Sequence, residues 1–153
     1  MGAHGSLVRI PYASFPANPA EPGFGGASIT WVPVIQVQLI VNHAASRRFE
    51  ALADSGSFST LFHSSIGTAL GLKIETGQRS VLSGVVAGAE GAIYYHKVKL
   101  RVAGSIFEIN AGFYESLSLA GILGRHGLFE HFTVTFDPAN QPPGMEITRL
   151  YRA

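Results

Sequence analysis

The sequence predicts a mostly β fold made of many short strands, and two observations carry that reading. Gly (18) and Pro (8) recur at short intervals between β-branched and aromatic runs, a punctuation that favours short strands over long helices. Val98, Leu100 and Val102 alternate strictly with Lys97, Lys99 and Arg101, the pattern of a strand with one wet face. The chain has 153 residues, of which 46% are hydrophobic and 14% charged. A domain of that length buries roughly 70% of the surface its unfolded chain exposes, so it needs no disulfide or metal to hold it.

The elements follow in order. Residues 1–6 are small and tag-like in composition and are set aside from the fold. A strand is expected at 7–12, and an irregular connection at 13–28, where prolines and glycines interrupt every apolar period. Residues 1–28 thus form an N-terminal arm, and residues 29–153 the folded domain. Within the domain, 30–41 reads as one strand, 43–48 as a turn and 49–53 as the second strand of a hairpin. Apolar residues at Leu61, Phe62, Ile66, Ala69 and Leu70 fit helical spacing, with Gly71 as the stop. Strands are expected at 79–86, 93–102 and 105–113, an apolar run at 119–123, a helical turn at 127–131, and a final strand pair at 133–136 and 145–150.

Several function classes drop out. Lys and Arg total 11 against 10 Asp and Glu, a net charge of +1, and Arg47-Arg48 is the largest basic cluster. A nucleic-acid partner needs a wider field of phosphate-neutralising charge, so none is expected. The chain has no cysteine, which removes disulfides, thiolate nucleophiles and cysteine zinc sites. Pro33, Gln36 and Gln38 interrupt the most apolar stretch, so no membrane span is expected in this chain. His126 and His131 are five apart, not the four that place two ligands on one helical face, and no metal is expected. No Gly-x-Ser-x-Gly elbow accompanies the serines.

The strongest chemical signal is Asp54-Ser55-Gly56-Ser57, an acid placed where an apolar strand ends and a tight polar turn begins. A carboxylate there must be solvated or hydrogen-bonded, and on this tripeptide alone an ordinary Asp-led surface turn is the better account. Some seventy residues on, Ile122-Leu123-Gly124-Arg125 closes an apolar pair with a glycine. In this order and spacing the two segments resemble the retroviral-type (retropepsin-like) aspartic proteases. The resemblance extends over about residues 30–150, including Leu70-Gly71-Leu72 and the closing Val134-Thr135-Phe136-Asp137. The long C-terminal strand pair is more similar to bacterial or cellular single-domain members than to the compact viral form.

The resemblance implies a single-domain retropepsin-like closed β-barrel or sandwich with one or two short helices, acting as a homodimer. Asp54 would be the catalytic carboxylate. Ser55 would hydrogen-bond across the dimer axis, Gly56 would let the backbone approach substrate, and Ser57 would donate to the carboxylate. Ile122, Leu123, Gly124 and Arg125 would pack beside that loop. Ser83, Gly84, Val85 and Val86 would belong to a flap over an extended peptide or protein substrate, and no cofactor would be needed. Since the motif occurs once, a second identical subunit would supply the second carboxylate. The chain departs from the pattern at Phe58 and Ser59, where relatives often carry acids that pair with the arginine at position 125, and at His126, where they usually have Asp or Asn. A protease-like fold that binds peptides or assembles without hydrolysis is the second expectation, and a small β-barrel ligand binder the third.

Overall fold

The computed structural model describes residues 3–81 and 91–151. The chain runs through β1 (Ala3–Pro11) and β2 (Ala13–Pro16), then a 3-10 turn at Pro22–Phe24 and β3 (Ile29–Val32). β4 (Val34–Val41) follows at once. The single strand expected over 30–41 is therefore two, because Pro33 between them has no N–H to give a ladder. After β4, Asn42 and His43 take positive φ values of 46° and 72° and turn the chain into β5 (Ala44–Ala45) and β6 (Phe49–Ala53).

β7 (Leu61–His63) and α1 (Ser64–Ala69) share the stretch whose spacing predicted helix throughout. Its first turn is instead extended, with Phe62 fully buried in the sheet and paired to strands on both sides. α1 begins where the Nδ1 of His63 accepts the N–H of Ser65 at 3.1 Å, and ends at Gly71 with φ 84°, the left-handed geometry a glycine accepts without strain. A 3-10 turn at Ile74–Thr76 leads to β8 (Gln78–Val81), then β9 (Ala92–Val102), β10 (Ser105–Tyr114), β11 (Gly121–Leu123), β12 (Phe132–Asp137) and β13 (Gly144–Tyr151). The helical turn expected at 127–131 is a run of turns, anchored by Leu128 N–H on the Gly124 carbonyl at 3.1 Å.

The described chain forms two compact units. One comprises Ile35–His131. Its sheet runs β5-β4-β6-β11-β7-β10-β9-β8, and β9 also pairs with β4, so six strands close into a barrel. β11 is parallel to β6 and antiparallel to β7. Closure buries alternate residues of β4 and of the second half of β9: Ile35, Val37 and Leu39 on the one, and Val98, Leu100 and Val102 on the other. Lys97, Lys99 and Arg101 stay exposed, as the alternation predicted. Phe62 packs edge-on to Phe49 at 5.6 Å and against Phe113 at 6.1 Å between ring centroids; burying each such ring contributes roughly 2–3 kcal/mol.

The other unit gathers the two ends of the described chain, up to Val34 and from Phe132 onward. β13 is the middle strand of an antiparallel sheet β1-β13-β12 and buries Met145 and Ile147. β2 and β3 form a separate hairpin, Ala13 opposite Val32 and Pro16 opposite Ile29. Two expectations change here. Residues set aside at the start are in the sheet, with Ala3 opposite Tyr151 and His4 opposite Leu150. Part of the expected irregular connection is strand, since Phe15 and Thr30 fall in register despite the surrounding prolines.

Candidate active site

Asp54 is the first residue past β6. The parallel pairing of Leu52 with Ile122 and Ala53 with Leu123 continues one step further, because Asp54 N–H donates to the Leu123 carbonyl at 3.0 Å. The backbone then turns sharply: Ser57 N–H donates to the Asp54 carbonyl at 3.1 Å, and Gly56 N–H donates to Asp54 Oδ1 at 2.9 Å. This local bond is the reason an Asp suits the position, since it satisfies one carboxylate oxygen with a backbone donor. A Cβ at Gly56 would sit 3.1 Å from that oxygen, so glycine keeps the approach open. Asp54 is half-buried while Ser55 and Gly56 are exposed, which leaves the carboxylate facing solvent at the end of the barrel strand.

Ser57 behaves differently from the expectation. Its hydroxyl donates to the Ser59 carbonyl at 2.7 Å, and the donor to the carboxylate is the Gly56 amide. Ser57 therefore stiffens the loop beyond Asp54.

The segment after β11 locks the loop from its other side. Arg125 N–H donates to the Ser57 carbonyl and His126 N–H to the Phe58 carbonyl, each at 2.9 Å. Gly124 lies where any side chain would collide with backbone: a Cβ there would meet the Ser59 carbonyl oxygen, with the Ser57 carbonyl oxygen at 2.8 Å. Thr60, fully buried, joins the two segments. Its Oγ1 donates to the His126 carbonyl at 2.6 Å and accepts the Gly124 N–H at 3.1 Å. Ile122, Leu123, Gly124 and Arg125 are thus brought beside the Asp54 loop.

Two side-chain groups surround this frame. Arg125 has its guanidinium 5.5 Å from the centroid of the Phe58 ring, close enough for the cation to be attracted to the ring face. His126 stands edge-on to the same ring at 4.6 Å, and its Nδ1 lies 3.1 Å from Glu130 Oε2. The other carboxylate oxygen of Glu130 accepts the Gly127 N–H at 3.1 Å. An acid three residues downstream thereby serves the turn.

On the opposite flank, the Ser59 hydroxyl and Tyr95 hydroxyl are 2.9 Å apart. Tyr95 belongs to β9 and pairs across to Gly112 of β10. A Cβ at Gly112 would lie 2.6 Å from Leu61 Cδ2 and 3.2 Å from Tyr95 Cε1, so the missing side chain lets the tyrosine ring cross its neighbour strand toward Ser59. The Gly112 N–H donates to the Thr60 carbonyl at 2.9 Å.

Thr60, Tyr95 and Gly112 were not singled out from sequence. A glycine inside the strand pattern of β10 was the available signal, since such a residue marks a close approach of another group. Ser83, Gly84, Val85 and Val86 lie outside the described residues. Their flanking strands β8 and β9 are antiparallel neighbours, with Val81 opposite Ala92.

No family model and no curated protein matches the chain. Solved structures do. A retropepsin-like aspartic protease from Rickettsia conorii superposes with a TM-score of 0.57 at 12% identity, over 99% of this chain and 97% of that one. EIAV protease, solved with the inhibitor HBY-793, gives 0.44 at 17% identity over 61% and 82%. The retroviral protease-like domain of Ddi1 from Leishmania major gives 0.44 at 20% identity over 67% and 81%. The chain has a retropepsin-like fold, mostly β with a closed six-strand barrel. That assignment rests on the first of these likenesses, which spans nearly the whole of both chains.

Proposed function

We propose that the protein is an aspartic endopeptidase, active as a homodimer in which each copy contributes Asp54. The observation that carries this reading is the Asp54 carboxylate presented at the end of β6 with one oxygen held by the Gly56 amide, in a loop locked by backbone bonds to residues 123–126. A carboxylate in so fixed a frame is suited to meet a twin across a twofold axis, the arrangement in which the same patch of both copies is self-complementary.

The chemistry follows from that pairing. Two carboxylates within hydrogen-bond reach share one proton and titrate as a unit. The ionised Asp54 takes a proton from a water held between them, and the water oxygen attacks the peptide carbonyl carbon. The protonated Asp54 of the second copy donates to the carbonyl oxygen, and a proton passes to the leaving nitrogen as the C–N bond breaks. No cofactor enters. The substrate is an extended peptide or protein whose main chain pairs with strand edges; residues 83–86 belong to the flap that covers it, and Ser55 bonds across the axis.

The test is cleavage of a peptide library under mildly acidic conditions, compared between the protein and Asp54→Asn. Cleavage is expected to vanish in the variant, which keeps the size of the carboxylate but neither its charge nor its proton. Undiminished cleavage by Asp54→Asn removes Asp54 from the mechanism. Retained peptide binding with no turnover in either protein supports instead a binding or assembly role, to which Phe58 in place of an acid also points.

A further inference from the structure

At the other end of β6 from Asp54, a cavity of about 160 Å³ is lined by Gln36, Val37, Gln38, Arg48, Arg101 and the Ala103-Gly104 turn. Two arginines and two glutamines line it, and no acidic residue does. Among the described residues, neither arginine forms an ion pair with Asp or Glu. The neighbouring cations differ in this respect. Lys97 lies 3.8 Å from Glu108, and Lys99 stands opposite the same glutamate on β10. Arg48 and Arg101 thus bring positive charge to this cavity with no acidic residue among its lining to neutralise it.

Arg101 is also held in place by neutral groups. Arg101 Nη1 donates to Gln38 Oε1 at 3.1 Å, and Gln38 Nε2 donates to the Ser46 carbonyl at 3.0 Å. Ser46 is itself tied to β4 and to the backbone of Arg47. Its hydroxyl accepts the Leu39 N–H at 3.0 Å and donates to the Arg47 carbonyl at 2.7 Å, and its own N–H donates to the Leu39 carbonyl at 2.8 Å. A salt bridge within the protein would have oriented Arg101 while cancelling its charge. Orientation by an amide leaves the charge and the remaining donors of the planar fork available.

We propose that this cavity is an oxyanion site, taking a carboxylate or phosphoryl group through Arg48 and Arg101. Both groups present paired oxygens at the spacing that a guanidinium matches. The site is separate from the proposed chemistry: Arg48 precedes Asp54 by six residues of largely extended chain, about 20 Å at the rise of a strand. It stands whether or not the protein hydrolyses peptides.

The test is titration of the whole protein with inorganic phosphate and, separately, with acetate, following the Nε–Hε resonances of arginine by NMR. Both series are run in about 0.1 M chloride, where loose surface attraction is screened beyond about 10 Å. Saturable shifts confined to Arg48 and Arg101 are expected. Saturation by phosphate alone assigns a phosphoryl ligand, and saturation by acetate assigns a carboxylate. Arg101→Gln is expected to weaken binding about tenfold, the equivalent of one charge-assisted hydrogen bond. Gln38→Leu leaves both charges but frees Arg101, and is expected to weaken binding by a smaller factor. Shifts that stay linear in both series, or a saturable response unchanged in the Arg48→Gln, Arg101→Gln double variant, overturn the proposal.

Discussion

The two ends of β6 are fastened differently, chiefly by backbone bonds with the Thr60 hydroxyl at one and chiefly by side chains at the other. At the Asp54 end, the carbonyls of Ser57, Phe58 and Leu123 are tied to backbone amides, and Gly124 is there because no side chain fits between the segments. At the Arg48 end, a glutamine and a serine side chain do the fastening. A frame made of backbone tolerates changes in the side chains it carries. The bonds that hold residues 57, 58 and 123 come from backbone atoms, so the loop closes on residues 123–126 without calling on the Phe58 or His126 side chains. A frame made of side chains has no such tolerance, since one substitution releases the group it orients.

The comparison is broken most severely by Gly124→Ala. Its methyl group would press on the Ser59 carbonyl, with the Ser57 carbonyl oxygen 2.8 Å away, and neither can withdraw without opening the loop. A loss of about 3 kcal/mol in denaturant unfolding is expected. A loss below half of that would show that the frame is softer than argued.

Thr60→Val comes next, because it keeps the shape and removes the hydroxyl. The Gly124 N–H and His126 carbonyl both lose their buried partner, and about 2 kcal/mol is expected, measured in the same way. Tyr95→Phe is milder: one part-buried hydrogen bond goes while the ring keeps its place over Gly112. About 1 kcal/mol is expected. Ser59→Ala should cost a similar amount and add little on top of Tyr95→Phe, since the two hydroxyls share one bond; full additivity would show that they act independently. The smallest effect belongs to the other end, where exposed Arg101→Gln should change stability by less than about 0.5 kcal/mol even as it weakens anion binding.

Much of this architecture was legible in the sequence, for stateable reasons. The β9–β10 hairpin announced itself through strict alternation and the Ala103-Gly104 turn. The meeting of Asp54 with residues 122–125 was legible only through the resemblance that the two short motifs carry in their order and spacing, since neither motif alone marks its partner. What escaped were effects of tertiary context. Leu61 and Phe62 have helical spacing with Ile66 but are drawn into the sheet by partners on both sides, and periodicity is silent about partners. The split at Pro33 was signalled by the proline itself and overridden by the apolar run around it. Thr60 and Tyr95 had no local mark, because their bonds link positions 66 and 36 residues apart.

Closure of the barrel also governs how the chain reaches its native state. The seam between β4 and β9 joins Val37 to Val102 and Ile40 to Lys99, residues about sixty apart in the chain. Loop-closure entropy sets contacts of that separation late in folding. Until they form, β4 carries Val34-Ile35-Gln36-Val37 and Leu39-Ile40-Val41 with an unpaired edge, the kind of template that recruits strands from other molecules. Ring closure thus protects the protein from aggregation as well as shaping it, and the hazard is greatest in the interval between collapse and the last pairing.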